Sequence, residues 1–295
     1  MPAKYMQRRQ ALTEKFCHVT MHFVRRERMK KVIWVAGASS GLGKATAECL
    51  AQNGHTVYAA ARSFAGNMKA PAGCEKLYLD VTDEKSVQAA LKTILQKHGR
   101  LDALIYCAAT FTMSPLEELP VSTLDSMMNV NFLGMARCVQ AALPVMRQQQ
   151  SGQIVLFSSL NGLFSIPFQG AYSATKRAIE AYGQALQQET RAFGIHVTLV
   201  EPGDCRGGSQ KYRAAHLCED SPYTAFFRAG TQKIHHDEEN GLPPEKVGRA
   251  VCRLLNNKRP PAYLVVASLT QRSAAWMHTF LPRRWFNRII ESYYK

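Results

Sequence analysis

From Val32 onward, short apolar runs alternate with longer segments in which apolar residues recur every three or four positions. The runs "VIWVAGA", "TVYAAA", "KLYLDV", "LDALIYCAA", "QIVLFSS", "HVTLVEPG" and "AYLVVA" predict strands. Between them, "GKATAECLAQNG", "EKSVQAALKTILQKHG", an apolar stretch around Asp125–Gln149, Tyr172–Phe193 and Pro244–Asn256 predict helices. Regular β-α alternation predicts an α/β fold: a doubly wound parallel sheet with right-handed crossovers and helices on both faces. No Pro/Gly/Ser linker interrupts it, so one domain is expected. Residues 204–241 carry no regular period and read as a lid-like insert that is mobile before a ligand binds. A short helix is predicted from Pro282, with Trp285, Phe286, Ile289 and Ile290 on one side and Arg283, Arg284 and Arg288 largely opposite.

Charge changes this picture only at the ends. The formal charge of +15 would suit a nucleic-acid binder if it were spread over the fold. Instead, residues 1–31 hold nine Lys/Arg against two Glu, and residues 272–295 hold five against one. The interior is close to neutral, so no nucleic-acid partner is expected. The chain therefore divides into a basic extension (1–30), a catalytic domain (31–270) that includes the insert 204–241, and a basic amphipathic C-terminal segment (271–295). Residues 1–28 read as a solvated, disordered extension or as an over-called start before Met29. They lack the apolar core of a signal peptide, since Arg8, Arg9, Glu14, Lys15 and His18 interrupt it, and no run reaches membrane-spanning length. A cytoplasmic protein is expected. Its eight cysteines show neither CxxC nor a Cys/His ligand spacing, so no metal and no disulfide framework is expected.

Chemistry concentrates at the predicted carboxyl ends of the strands, where ligands bind in such sheets. "AGASSGLGKATAECL" sets Gly37, Gly41 and Gly43 in a turn between the first strand and a helix, where backbone N–H groups and the helix dipole suit a pyrophosphate. At the end of the second strand stands Arg62, without a neighbouring carboxylate. A guanidinium there suits a 2′-phosphate, favouring NADP(H) over NAD(H), unless Arg62 is an ordinary solvated side chain. Asp80 ends the third strand, placed for an adenine edge or as the N-cap of the next helix. Tyr172 and Lys176 stand at i and i+4 and share a helix face, where an ammonium favours the phenolate. Ser159 ends the strand upstream and could polarise a carbonyl.

In this company the chain resembles the classical short-chain dehydrogenase/reductase family, over about Lys31 to Ala267. "AGASSGLG" is similar to the family's TGxxxGxG, with Ala36 in place of threonine; "NVNFLG" resembles the segment of the catalytic asparagine, at Asn131. "SS" and "YSATK" are similar to the active-site Ser, Tyr and Lys, at Ser159, Tyr172 and Lys176, and "EPGD" resembles the motif closing over a nicotinamide, at Pro202 and Gly203. The resemblance implies a Rossmann-like fold, a homodimer or homotetramer, and a cofactor shell of Gly37, Ser39, Ser40, Gly41, Leu42, Gly43, Arg62, Asp80, Val81, Ala108, Tyr172, Lys176, Pro202 and Gly203. It also implies hydride transfer between nicotinamide and a carbonyl carbon, with Tyr172 as proton donor, Ser159 on the oxyanion, Lys176 tuning the phenol and Asn131 holding a relay water. Two departures stand out: "YCAA" (Tyr106–Ala109) replaces NNAG, and the threonine usual after the PG motif is absent.

Substrate-facing segments are expected at "LNGLFSIPF" and in the insert. Leu163, Phe164, Phe168, Leu217, Tyr223, Phe226 and Phe227 favour a bulky hydrophobic alcohol or ketone of steroid, retinoid or lipid type, unless these rings serve the packing of the lid itself. The C-terminal helix reads as packing over the entrance or against a second subunit, with peripheral membrane contact as the alternative. Two rival functions stay open: a non-catalytic NADP(H)-binding regulator, and a reductase of carrier-bound acyl groups.

Overall fold

The computed structural model describes residues 30–207 and 213–294. The expectations for residues 1–29 lie outside the described residues; Lys31–Lys295 form one unit.

Seven parallel strands form the sheet, in the order β3-β2-β1-β4-β6-β7-β9. They are β1 (Val32–Ala36), β2 (Thr56–Ala61), β3 (Glu75–Tyr78), β4 (Ala103–Tyr106), β6 (Gly152–Phe157), β7 (Ile195–Pro202) and β9 (Tyr263–Val266). The order reverses between β1 and β4, whose register pairs Ala36 with Tyr106, and a crevice is expected beyond that switch point. Side chains alternate across β1. Val32, Trp34 and Ala36 meet helices α2 (Glu84–His98), α4 (Gly134–Gln149) and α5 (Gly170–Thr190), while Ile33 and Val35 meet α1 (Gly41–Gln52) and α7 (Pro244–Leu255). Both faces are thus buried, which is why the strands read as continuous apolar runs. The α/β, doubly wound, Rossmann-like expectation is met.

Four features differ from the expectation. The helix expected around Asp125–Gln149 is α3 (Val121–Met128) and α4 joined by a π-helical turn, Asn129–Leu133. Such a turn sits inside an otherwise helical run, so composition and spacing do not single it out. The insert contains β8 (Arg213–Ala215), paired in parallel with β5 (Phe111–Met113), and a full helix α6 (Thr224–Glu239). The buried side of α6 is Phe227, Gly230, Ile234 and Glu238; a glycine and a glutamate among four positions blur the apolar period. A further helix, α8 (Leu269–Phe280), starts at a capping box in which Ser268 and Gln271 exchange side-chain and backbone hydrogen bonds. Finally, α9 (Arg283–Tyr294) does not keep its apolar residues on one buried side: Phe286 is buried and Ile290 half-buried, whereas Trp285 and Ile289 are exposed. Phe286, Ile290 and Tyr294 join Phe164, Phe168 and Phe227 in an aromatic cluster, here called the cap, built from the loop after β6, the insert and α8–α9.

Candidate active site

The turn after β1 is held by the N–H groups of Gly37 and Ala38, which both donate to Ala60 O (2.8 and 3.1 Å). Gly37 lies at φ +84°, and a Cβ there would stand 2.4 Å from Ala108 N; a Cβ on Gly43 would stand 2.1 Å from Gly37 O. Only glycine fits either place, and small Ala108 lets the β1 and β4 ends close together. At the start of α1, Ser40 makes no side-chain cap bond and the first turn holds no acid. Its N–H groups and dipole therefore suit an anion, so a dinucleotide pyrophosphate fits this cradle. Ser39, Gly41 and Leu42 complete the turn.

Arg62 is exposed just past β2. Burial would raise the Asp80 carboxyl, but bonds from the Thr82 N–H (2.9 Å) and hydroxyl (2.7 Å), with the Arg62 and Arg137 charges, hold it below its ordinary value. Asp80 is not a helix cap; Asp83 caps α2 by accepting from Lys85 N. Val81 packs with Tyr106 where Gly134 passes: a Cβ there would lie 2.7 Å from Tyr106 Oη and 2.8 Å from a Val81 methyl.

Asn131 lies in the π turn and is fully buried. Its Oδ1 accepts from Thr110 N (2.7 Å), and its Nδ2 donates to Thr110 O (2.9 Å) and Thr175 Oγ1 (3.0 Å). Both amide hydrogens are used, and the side chain braces the loop after β4 against α5. The sequence reading did not include Thr175.

Tyr172 and Lys176 share one face of α5, with the Lys176 Nζ 5.4 Å from the Tyr172 ring centroid. The buried Nζ donates to Phe157 O (2.7 Å) at the end of β6. Burial lowers the Lys176 ammonium to about 8, against the opposing influence of Cys107 and Glu180. Phe111 of β5 stands edge-on to Tyr172, centroids 4.7 Å apart. Ser159 Oγ accepts from Asn161 N (3.2 Å) and keeps a hydrogen to donate. Ser159, Tyr172 and Lys176 are therefore gathered where β6 ends, with Asn131 tied to the same helix.

Two carboxyls beneath this group escaped the sequence reading. Glu180, one turn beyond Lys176, is raised by burial; Glu201, next to Pro202 in β7, is pushed up to about 7 by burial and by Glu180. A glutamate inside the apolar run "TLVEP" was the available signal. Pro202 ends β7, and Gly203 passes so close under α8 that a Cβ would lie 2.2 Å from Gln271 Oε1.

The rings expected to face substrate pack largely on one another. Phe168 lies 4.8 and 5.0 Å from Phe226 and Phe227, and Phe164 lies 5.1 Å from Phe286. Phe168 sits at φ +63°, a conformation that costs a bulky residue about 1–3 kcal/mol and persists only under surrounding packing. Leu163, Leu217 and Phe226 stay partly exposed at the cluster. Tyr223 turns away, donating to Glu117 Oε2 (2.5 Å). Among the described residues no His/Cys/Asp/Glu group is arranged to hold a metal ion.

A family model described as short chain dehydrogenase matches residues 31–216. Over 266 residues the chain is 35% identical to a 3-ketodihydrosphingosine reductase of Bacteroides thetaiotaomicron, covering 90% of this chain and 98% of that protein. The chain belongs to the short-chain dehydrogenase/reductase family. It is an oxidoreductase of the kind that acts on CH–OH groups. Among solved family members, a short-chain dehydrogenase from Streptomyces avermitilis matches with a TM-score of 0.72 at 32% identity, covering 85% of this chain and 93% of that one. ElxO, solved with NADP bound, matches with a TM-score of 0.66 at 25% identity, covering 81% and 97%. Where the family's NNAG is replaced, buried Tyr106 supplies a bracing bond of its own, its hydroxyl donating to Val130 O (2.5 Å) in the π turn.

Proposed function

We propose that the protein is an NADP(H)-dependent reductase or dehydrogenase that interconverts a hydrophobic secondary alcohol and its ketone. The observation that carries this reading is the buried Lys176 amine, 5.4 Å from the Tyr172 ring, on a helix that starts beside the Ser159 turn. The dinucleotide, when bound, supplies or accepts the hydride. Gly37, Ser39, Ser40, Gly41, Leu42 and Gly43 would hold its pyrophosphate, Asp80, Val81 and Ala108 its adenosine side, and Pro202 and Gly203 its nicotinamide side. Arg62 would meet the 2′-phosphate. Tyr172 gives its phenolic proton to the carbonyl oxygen, Ser159 donates a hydrogen bond to the same oxygen, and Lys176 favours the phenolate that remains. Asn131 holds the Thr110 loop and α5 in place.

A long-chain or steroid-like ketone is supported by the aromatic cap and by the 3-ketodihydrosphingosine reductase relative. The reading includes a homodimer or homotetramer, for which exposed Val121 and Leu133 supply apolar surface; light scattering tests it. It also includes a cytoplasmic location, checked by imaging a tagged chain; among the described residues no helix is long and apolar enough to cross a membrane.

The test is NADPH oxidation with a panel of hydrophobic ketones, in wild type and Tyr172→Phe. Because only a hydroxyl is removed, the variant should fold and bind NADPH while losing at least about 100-fold in turnover. A folded variant with near-normal turnover would overturn the assignment of Tyr172. A wild type that binds NADPH and reduces nothing would favour the non-catalytic regulator instead.

A further inference from the structure

Helices α8 and α9 contact one another, and besides the apolar residues that enter the cap each leaves further apolar residues exposed. The first set closes the cap, through Ala274, Met277, Phe286 and Ile290. A surface helix needs only that set. The second holds Leu269 (85% exposed), Trp276 (63%) and Phe280 (66%) on α8, and Trp285 (54%) and Ile289 (46%) on α9. Of the twelve large apolar side chains exposed among the described residues, six fall within Leu269–Tyr293. On α8 the residues 269, 276 and 280 repeat at helical spacing, and the Trp276 and Phe280 rings lie 4.8 Å apart.

The charge along these two helices is predominantly positive. Arg272, Arg283, Arg284 and Arg288 face a single acid, Glu291, along the two helices. The Arg284 and Arg288 guanidinium carbons lie 6.0 and 5.9 Å from the Trp285 ring, so apolar ring and cation are offered together. Tryptophans with flanking arginines suit the boundary between headgroups and acyl chains, where the rings bury and the cations meet lipid phosphates. A second copy suits the face poorly, because a two-fold contact sets the same patch, arginines included, against itself.

We propose that α8 and α9 form a docking face for bilayers containing anionic lipid, which seats the cap on the surface from which a hydrophobic substrate is drawn. Delivery of substrate rests on the hydrophobic-ketone reading; the docking itself does not, and its test involves no turnover.

The chain reports on the face by fluorescence. It has three tryptophans, of which Trp34 is fully buried in β1 and the other two are Trp276 and Trp285. The full chain is mixed with vesicles of phosphatidylcholine alone or of phosphatidylcholine with phosphatidylglycerol, and sedimentation and tryptophan emission are measured. The expected result is binding to the anionic vesicles with a blue shift, weakened by salt, and about 10-fold or more weaker binding to phosphatidylcholine alone. Arg284→Glu with Arg288→Glu should weaken anionic-vesicle binding by at least about 30-fold. Trp276→Ser should remove about half of the blue shift and Trp276→Ser with Trp285→Ser most of it, while cofactor binding persists.

Absence of vesicle binding would overturn the proposal. So would binding that the arginine and tryptophan variants leave unchanged, since the basic residues of 1–31 would then carry it. A blue shift that grows with protein concentration without vesicles would assign the face to a second copy and overturn it as well.

Discussion

In β1, four successive residues, Ile33, Trp34, Val35 and Ala36, are fully buried, and every neighbouring strand is parallel. In the cap, Phe164, Phe168, Phe227 and Phe286 join three separate stretches of chain, with ring contacts at the centre. The sheet end is set by backbone pairing and by residues too small to move: a methyl group on Gly37 or Gly43 would meet main-chain atoms. The cap is set by aromatic packing, which is only weakly directional. The turn therefore tolerates little change, while the cap can be rebuilt ring by ring.

The largest effect expected from breaking this contrast is Phe286→Ala. It empties a buried position of the cap, and truncations of this kind cost about 3–5 kcal/mol. The melt should shift accordingly and KM for hydrophobic ketones should rise, with NADPH affinity nearly unchanged by titration. An equal loss of NADPH affinity would show that cap and sheet end act as one unit.

Gly43→Ala attacks the other region. Its Cβ would lie 2.1 Å from a main-chain oxygen, so the turn must shift, at about 1–3 kcal/mol. NADPH binding should weaken at least tenfold, and KM measured at saturating cofactor should stay close to wild type. Preserved NADPH affinity in the folded variant would remove this turn from the cofactor site.

Arg62→Ala sharpens the comparison within the cofactor half. Loss of one exposed charge-assisted contact should cost about 10-fold in NADPH affinity and leave NADH unchanged. Equal losses for both cofactors, or a wild type preferring NADH, would release Arg62 from that role.

The same contrast governs what the amino-acid sequence discloses. Strands buried on both sides announce themselves as apolar runs, and the glycine turn and the Tyr172–Lys176 spacing are local, so each is readable within a dozen or so residues. The cap is not local. Phe164 and Phe168 are visible as aromatic, but whether they face a ligand or each other depends on where α6 and α9 come to rest. Three-residue strands such as β5 and β8 are too short to show a period of two. The start of α8 was written in Ser268 and Gln271, yet its apolar residues, some entering the cap and some exposed, define no single stripe. Asp80 reads as a possible cap, yet Asp83, three residues on, is the residue that caps α2, and only the backbone decides between them.

The smallest effect concerns Glu201, a carboxyl set in the apolar sheet end beneath the site. Burial and the neighbouring Glu180 push its carboxyl up to about 7, whereas in the unfolded chain it ionises near the ordinary glutamate value. Below that ordinary value both states hold the proton, and this group makes stability no function of pH. As pH rises towards about 7 the unfolded chain releases the proton while the fold retains it, so stability falls. Above about 7 both states are ionised and the penalty stays constant. Glu201→Gln keeps the shape and cannot ionise, so its Tm relative to wild type should climb between about pH 4.5 and 7 and then level off. With Glu180→Gln in both proteins of the comparison the climb should move to lower pH, because the second cause of the shift is removed. Melts of the four proteins at about pH 4.5, 6 and 8 test this, and a Tm difference that does not vary with pH would mean that Glu201 is ionised in the fold without penalty.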